Sequence, residues 1–284
     1  MEGTSGVLFV DKPVGMTSRK VDNTLGRLFH TRHIGHLGTL DPFASGMLIV
    51  FVNKANKCSP FVLDEEKTYV ALLRLGKKTT TGDKDGEVIE EGGRTAFSKE
   101  EVVSALNSFL GKGKQIPPMT SAIKIDGEAL YKKAHRGETI ERKPRDIEVF
   151  SISLLSYNND EIIFRAKVSK GTYIRTLGED IAAKLGTVGY LEELRRISIG
   201  DFGESKMVPL GKIDEKTPLE NPLDLIALPR HELNENEVIE VKNGVRQTLQ
   251  GIKSDKILLT YQNQAIAVYE RKEGSLYQCL RGLF

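Results

Sequence analysis

His33-Ile34-Gly35-His36-Leu37-Gly38-Thr39-Leu40-Asp41-Pro42-Phe43-Ala44-Ser45-Gly46 runs directly into the apolar block Met47-Leu48-Ile49-Val50-Phe51-Val52. Glycines at 35, 38 and 46 permit positive φ and close backbone approach, and Pro42 fixes the chain directly after Asp41. The apolar block has strand length and no polar alternation, so it predicts a strand covered on both faces. A carboxylate on a glycine-punctuated loop beside such a strand stands on a rigid scaffold, a good position for a reacting group. An Asp before Pro is also what an ordinary turn contains.

Outward from this stretch, residues 7–10 read as a strand, closed by the turn signal Lys12-Pro13-Val14-Gly15. Thr17 or Ser18 can cap a helix whose apolar positions Val21, Leu25, Leu28 and Phe29 share one face. The His- and Gly-rich chain after Phe29 reads as a loop. Downstream, residues 69–75 are a strand candidate and the polar residues 79–86 a loop. Ser98-Lys99-Glu100-Glu101 is a capping box opening a helix with Val102, Val103, Leu106, Phe109 and Leu110. Ile116-Pro117-Pro118 is a stop. Ile123-Lys124-Ile125 with Asp126-Gly127 predicts a strand and tight turn. Residues 149–155 and 162–168 pair as a hairpin across Asn158-Asn159-Asp160. Thr172 is the expected N-cap of a helix using Ile174, Leu177, Ile181 and Ala182, with Gly186 beyond its end. Pro209, Pro218, Pro222 and Pro229 mark the approach to a linker. After about His231 the pattern predicts short strands only, at 257–260, 265–269 and 276–280. The fold class is α+β, with a small C-terminal β module.

The chain has 284 residues, 39% hydrophobic and 28% charged, which suits two globular domains with cores that need no disulfide or metal. Its 41 Lys and Arg face 39 Asp and Glu, so the net charge of +2 excludes a polybasic or polyacidic tail but not a local basic surface. Cys58 and Cys279 form no CxxC, which excludes a disulfide framework and a Cys-based zinc site and fits a reducing compartment. Met1-Glu2-Gly3-Thr4-Ser5 is polar, and no apolar run has the length of a bilayer span. The expectation is a soluble, cytoplasmic protein.

His30, His33 and His36 are spaced by three, but a metal would need a fourth ligand and the glycines break any helical face, so no metal is expected. The sequence contains no GxxxxGK[ST], no GxGxxG after a strand and no GxSxG. Position 43 is Phe, so Asp41 lacks the second Asp of an aspartyl-phosphate motif. An enzyme or binding protein with an isolated Asp and no visible cofactor remains.

The segment from His36 to Pro42, with Ala44-x-Gly46 beyond, resembles the signature of the TruB family of tRNA pseudouridine synthases. Further segments match that family in order: Asp11-Lys12-Pro13-x-Gly15-x-Thr17-Ser18, Lys67-Thr68-Tyr69, Gly82-Asp83-x-x-Gly86, Pro117-Pro118-Met119-x-Ser121-Ala122-x-Lys124, Arg142-Lys143-Pro144-Arg145, Ser169-Lys170-Gly171-Thr172-Tyr173-Ile174-Arg175-Thr176-Leu177 and Leu191-x-x-Leu194-Arg195-Arg196. Together they span roughly residues 6–205. Leu37 stands where Thr is more usual, and Thr80 where an Asp is often found.

The resemblance implies a catalytic domain over residues 1–230, built on a central mixed, mainly antiparallel sheet flanked by helices. An insertion at about 115–146 and a short PUA-like RNA-binding domain at 231–284 complete it. It implies isomerisation of uridine 55 in the T-arm loop of tRNA, a reaction without redox change and so without a cofactor. Asp41 matches the family's nucleophile, Arg175 the arginine paired with it, and Tyr69 the aromatic residue stacked on the target base. The base must leave its stack to react. His36 matches the residue that fills the vacated space. Tyr173 and Leu194 match positions lining the uracil pocket, and Lys12 lies near the cleft as substrate support. Lys132, Lys133, Arg136, Arg142 and Lys143, with Tyr131 and His135 interleaved, form a basic run suited to an RNA backbone, within an insertion that closes on the RNA. The implied partner is tRNA, with no membrane and no obligate protein partner, and a monomer is expected. A non-catalytic tRNA-binding or folding-assisting protein is the alternative. A general hydrolase lacks a second carboxylate or His partner at a recognisable spacing.

Overall fold

The computed structural model describes residues 4–62, 66–121, 123–125 and 127–283, without the side chains of Lys124, Ile125, Ala129 and His135. Ala122, Asp126 and the His135 side chain, named above, lie outside the described residues, as do residues 1–3. In chain order the elements are β1 (Gly6–Lys12), α1 (Ser18–Leu28), β2 (Ile34–Leu37), β3 (Ser45–Val52), β4 (Lys67–Leu75), β5 (Lys77–Thr79), β6 (Val88–Glu91), α2 (Lys99–Asn107), β7 (Gly111–Gln115), β8 (Lys124–Ile125), β9 (Glu128–Ala129), α3 (Leu130–His135), β10 (Arg145–Asn158), β11 (Glu161–Val168), α4 (Ile174–Lys184), β12 (Gly189–Ile199), β13 (Val208–Pro209), β14 (Arg230–Glu232), α5 (Glu235–Lys242), β15 (Gln247–Thr248), β16 (Lys256–Tyr261), β17 (Gln264–Glu273) and β18 (Leu276–Gly282).

The apolar block becomes β3, and its lack of alternation has the expected cause. Met47, Ile49 and Phe51 pack with Val7 and Phe9 on one face, while Leu48, Val50 and Val52 pack against Val21 and Leu25 of α1 on the other. Thr17 caps α1 by accepting from the Lys20 N–H. Around β3 grows a mixed sheet in the order β13-β1-β3-β12-β4-β11-β10-β7, with β2 also paired to β3. Among the described residues only the β1–β13 and β3–β12 pairings of this sheet are parallel, so it is mainly antiparallel, as the resemblance implies. The hairpin of β10 and β11 turns at Asn159, which adopts φ +50°. On one face of the sheet, α2 and α4 bury Val102, Leu106, Leu177 and Ile181 against Ala71, Leu73, Ile162 and Phe164. A second sheet, β14-β16-β17-β18-β15, forms the C-terminal module. It docks on the main body through Cys58, Leu223, Ile226, Leu258, Val268 and Leu283.

Three expectations need correction, and one strand had no expectation attached to it. The chain at 34–37 is the short strand β2 rather than loop, because its backbone pairs with β3 from Ile34↔Val52 to Leu37↔Ile49. The N-cap of α4 is Tyr173, which makes no side-chain cap bond. The Thr172 hydroxyl meets that of Ser169 instead, at 3.3 Å. The C-terminal module is not strands alone: Asn234 and Glu237 form a capping box that opens α5, and Val238 and Val241 enter its core. The segment at 189–199, quoted above only as a motif, is a long strand in the middle of the sheet.

Candidate active site

Asp41 sits between β2 and β3, and the backbone around it is tethered at several points. The Ser18 hydroxyl accepts from the Leu40 N–H at 3.0 Å and lies 3.1 Å from the Leu40 carbonyl. The Pro42 carbonyl accepts from the Gly15 N–H at 2.8 Å. Lys12, fully buried, donates to the Pro13 and Met16 carbonyls at 2.9 and 2.7 Å and reaches that of Pro42 at 3.5 Å. Leu40, Phe43 and Ala44 are buried, whereas the Asp41 side chain is 33% exposed. The loop therefore presents its carboxylate from an anchored backbone.

Arg175, in the first turn of α4, is 3% exposed. Its Nε lies 2.9 Å from Asp41 Oδ2, and its Nη2 donates to Oδ1 at 3.2 Å. Nη1 donates to the Thr81 carbonyl at 2.8 Å and to the Thr120 hydroxyl, and Nη2 donates to the Thr120 carbonyl at 3.0 Å. Asp83 Oδ2 stands 3.5 Å from Nη1. A buried guanidinium is costly unless paired and hydrogen-bonded, and this one meets two carboxylates. Burial pushes the Asp83 carboxyl up; the Thr81 hydroxyl, Arg175 and the Asp85 N–H pull it back, while Asp41 adds to the rise. Sequence alone left residues 79–86 without a role. The structure makes them the rear support of the Asp41–Arg175 pair.

The cleft in front of this pair, about 240 Å³, is lined by Asp41, Lys67, Tyr69, Ser121, Tyr173, Arg175, Leu194 and Arg196 among others. Strict alternation along β4 buries Lys67, Tyr69, Ala71, Leu73 and Leu75 on one face, so Lys67 and Tyr69 reach the cleft from the end of a core stripe. On β12, a register shift between Leu191 and Glu193 rephases the alternation. Leu194 and Arg196 consequently turn inward. Arg195 turns away and forks to Asp11 at 2.9 and 3.0 Å. Arg196, 1% exposed, donates from Nε to the Met47 carbonyl at 2.8 Å and from Nη2 to that of Gly38 at 2.6 Å. Gly46, at φ +101°, lets β12 approach: a Cβ there would lie 2.2 Å from the Arg196 carbonyl oxygen. The buried Gln115 amide pairs with the backbone of Tyr173 in both directions, at 2.8 and 3.0 Å, and fixes the start of α4. Burial pushes the Tyr173 phenol up.

Asp41, Tyr69, Tyr173, Arg175 and Leu194 thus converge on one cleft. Lys12 and His36 do not line it. Lys12 points into the backbone carbonyls behind the loop. His36 Nδ1 lies 2.8 Å from Asp22 Oδ2 and Nε2 lies 3.2 Å from the Thr39 hydroxyl, at the flank of the cleft. His30 turns to Glu215 at 3.1 Å, and among the described residues no group of three His, Cys, Asp or Glu side chains is arranged to hold a metal. Within the basic run, Lys132 and Lys143 are exposed and Lys133 is half-buried. Arg136 forks to Glu128 at 2.8 Å and meets Glu138 at 2.6 Å, and Arg142 donates to the Pro117 carbonyl at 3.2 Å. Asp83, Gln115, Thr120 and Arg196 had no assigned role from sequence, although Asp83 and Arg196 stood inside matched segments.

The arrangement offers one carboxylate, held side-on by a guanidinium, to a slot walled by two tyrosines and Leu194. Such a slot suits a flat ring, and the carboxylate can add to a carbon centre or take a proton. Among the described residues no helix is long and apolar enough to cross a membrane.

Comparison with known proteins adds the following. Residues 26–174 match the TruB family pseudouridylate synthase N-terminal domain, and residues 175–232 match the tRNA pseudouridylate synthase B C-terminal domain. A tRNA pseudouridine synthase B from Nitrosococcus oceani is 43% identical over 74% of this chain and 68% of its own. Another from Mesoplasma florum is 35% identical over 98% of both chains. A crystal structure of a Cbf5-Nop10-Gar1 complex superposes with a TM-score of 0.72 at 23% identity, covering 98% of this chain and 85% of that one, which supports the fold. The family match takes in more than half of the chain and contains Asp41, Tyr69 and the basic run at 132–143, so the chain belongs to the TruB family of pseudouridylate synthases.

Proposed function

We propose that this protein isomerises uridine 55 in the T-arm loop of tRNA to pseudouridine, with Asp41 as the reacting carboxylate. The observation that carries the reading is the Asp41–Arg175 pair, 2.9 Å from Nε to Oδ2, at the floor of a cleft walled by Tyr69 and Leu194. In the reaction the N1–C1′ bond breaks, the uracil turns, C5 bonds to C1′, the C5 proton leaves and N1 gains a proton. The atoms balance within one nucleotide. Asp41 adds to the base or sugar, or takes the 2′ proton on a glycal route. Arg175 holds the carboxylate in one orientation through either course. Tyr69 stacks on the ring during its rotation, and Leu194 and Tyr173 confine it. Reaching this cleft requires the uridine to leave its stack, at a cost of a few kcal/mol that stacking and hydrogen bonds in the pocket offset. The relatives' name, tRNA pseudouridine synthase B, supports tRNA as the substrate. The experiment is incubation with an unmodified tRNA transcript followed by chemical mapping of pseudouridine. The expected product is a single modified site in the T-arm loop. An unmodified transcript, bound but unchanged, would favour the non-catalytic tRNA-binding alternative.

A further inference from the structure

The near-neutral charge of the whole chain hides a local imbalance. Between residues 19 and 36 stand Arg19, Lys20, Arg27 and Arg32 against one acid, Asp22. That acid is turned inward: it is 1% exposed, and its Oδ2 meets His36 Nδ1 at 2.8 Å and Arg19 Nη1 at 3.5 Å. Arg19, Arg27 and Arg32 are exposed. With Asn23 and His30 they line a shallow open groove of about 760 Å³ along α1. On its rim the exposed Glu215 pairs with His30, an ion pair that water screens strongly.

The strand β2 joins this groove to the cleft that holds Asp41. Ile34, the first residue of β2, lines the groove, and Gly38 to Asp41, just past the end of β2, line the cleft. At about 3.3 Å per residue, the four residues of β2 span about 13 Å, with His36 between the two sites. The guanidiniums are strung along the groove, and its open shape does not enclose a small anion. Their planar fork matches phosphate oxygens. In the basic run at 132–143, by contrast, the Arg136 fork is already taken by Glu128 and Glu138.

We propose that the α1 groove is a phosphate track for the RNA strand that delivers its nucleotide to Asp41, with Arg19, Arg27 and Arg32 as the phosphate ligands. This rests on the reading of the protein as an RNA-modifying isomerase. The test is a full-length variant carrying Arg19→Gln, Arg27→Gln and Arg32→Gln, compared with a control carrying Lys77→Gln, Lys99→Gln and Lys184→Gln, three exposed lysines outside both the groove and the C-terminal module. Binding of an unmodified tRNA transcript is measured across a salt series, and pseudouridine formation in single turnover at saturating protein. Urea midpoints confirm that both variants fold. The groove variant is expected to bind about tenfold or more weakly. Its log affinity–log salt slope should be shallower by about 2–3, since each phosphate that is no longer neutralised removes about 0.7–0.9 from the slope. Its saturated single-turnover rate is expected to stay at the wild-type level. An unchanged slope, or an equal fall in the lysine control, overturns the proposal. Failure of the wild-type protein to make pseudouridine overturns the functional reading instead.

Discussion

Three peptide carbonyls share the ammonium of Lys12, and that sharing has a pH signature. Burial pushes Lys12 down from 10.5 to about 8, against the pull of Asp41 and with a push from Arg196. Between those values the unfolded chain binds more protons than the folded one, so the residue's contribution to stability rises with pH across the window. Lys12→Met is expected to lower stability by about 1–3 kcal/mol near neutral pH, by leaving buried carbonyls unsatisfied. The gap to the wild type should widen between about pH 8 and pH 10 in urea midpoints. A gap that stayed constant or narrowed would contradict the buried, charged placement. Much at this scale was legible: Asp41, Tyr69 and Arg175 stand in motifs that can be quoted from the chain. The support for Arg175 was not, because Thr81, Asp83 and Thr120 are about 55–94 residues away in sequence. Only the fold brings them to one guanidinium.

At the scale of elements, the cleft exists because β12 can lie beside β3. Gly46 adopts φ +101°, and a Cβ there would fall 2.2 Å from the Arg196 carbonyl oxygen. Gly46→Ala is therefore expected to cost about 3 kcal/mol or more from backbone strain and overlap together. A urea midpoint within error of the wild type would contradict the close approach. The strand β3 was readable because burial on both faces leaves an unbroken apolar run. β12 was not, because its register shift puts Leu191, Leu194 and Arg196 inward and breaks the alternation that announces a strand. β2 is only four residues long and rich in Gly and His; its backbone pairing leaves no side-chain pattern. α5 buries only Val238 and Val241, too little for a helical stripe, though its capping box was present in the sequence.

Across the whole molecule, the C-terminal sheet and the main body share an apolar seam that includes Cys58. Cys58 is 2% exposed, and burial pushes its thiol up to about 11 despite Arg281 and Lys57. At about pH 8 it should resist alkylation in the native protein and react once denaturant separates the seam. Labelling of Cys58 in the native protein at the rate of a free thiol would contradict this docking. The seam, the cleft and the α1 groove together describe one RNA-modifying body, and its central claim concerns a single carboxylate. The most direct test is Asp41→Asn in single turnover on an unmodified tRNA transcript, with binding measured in parallel. The account predicts no detectable pseudouridine and a transcript affinity within about threefold of the wild type, a shift of less than about 0.7 kcal/mol. Pseudouridine formed at the wild-type rate would contradict it.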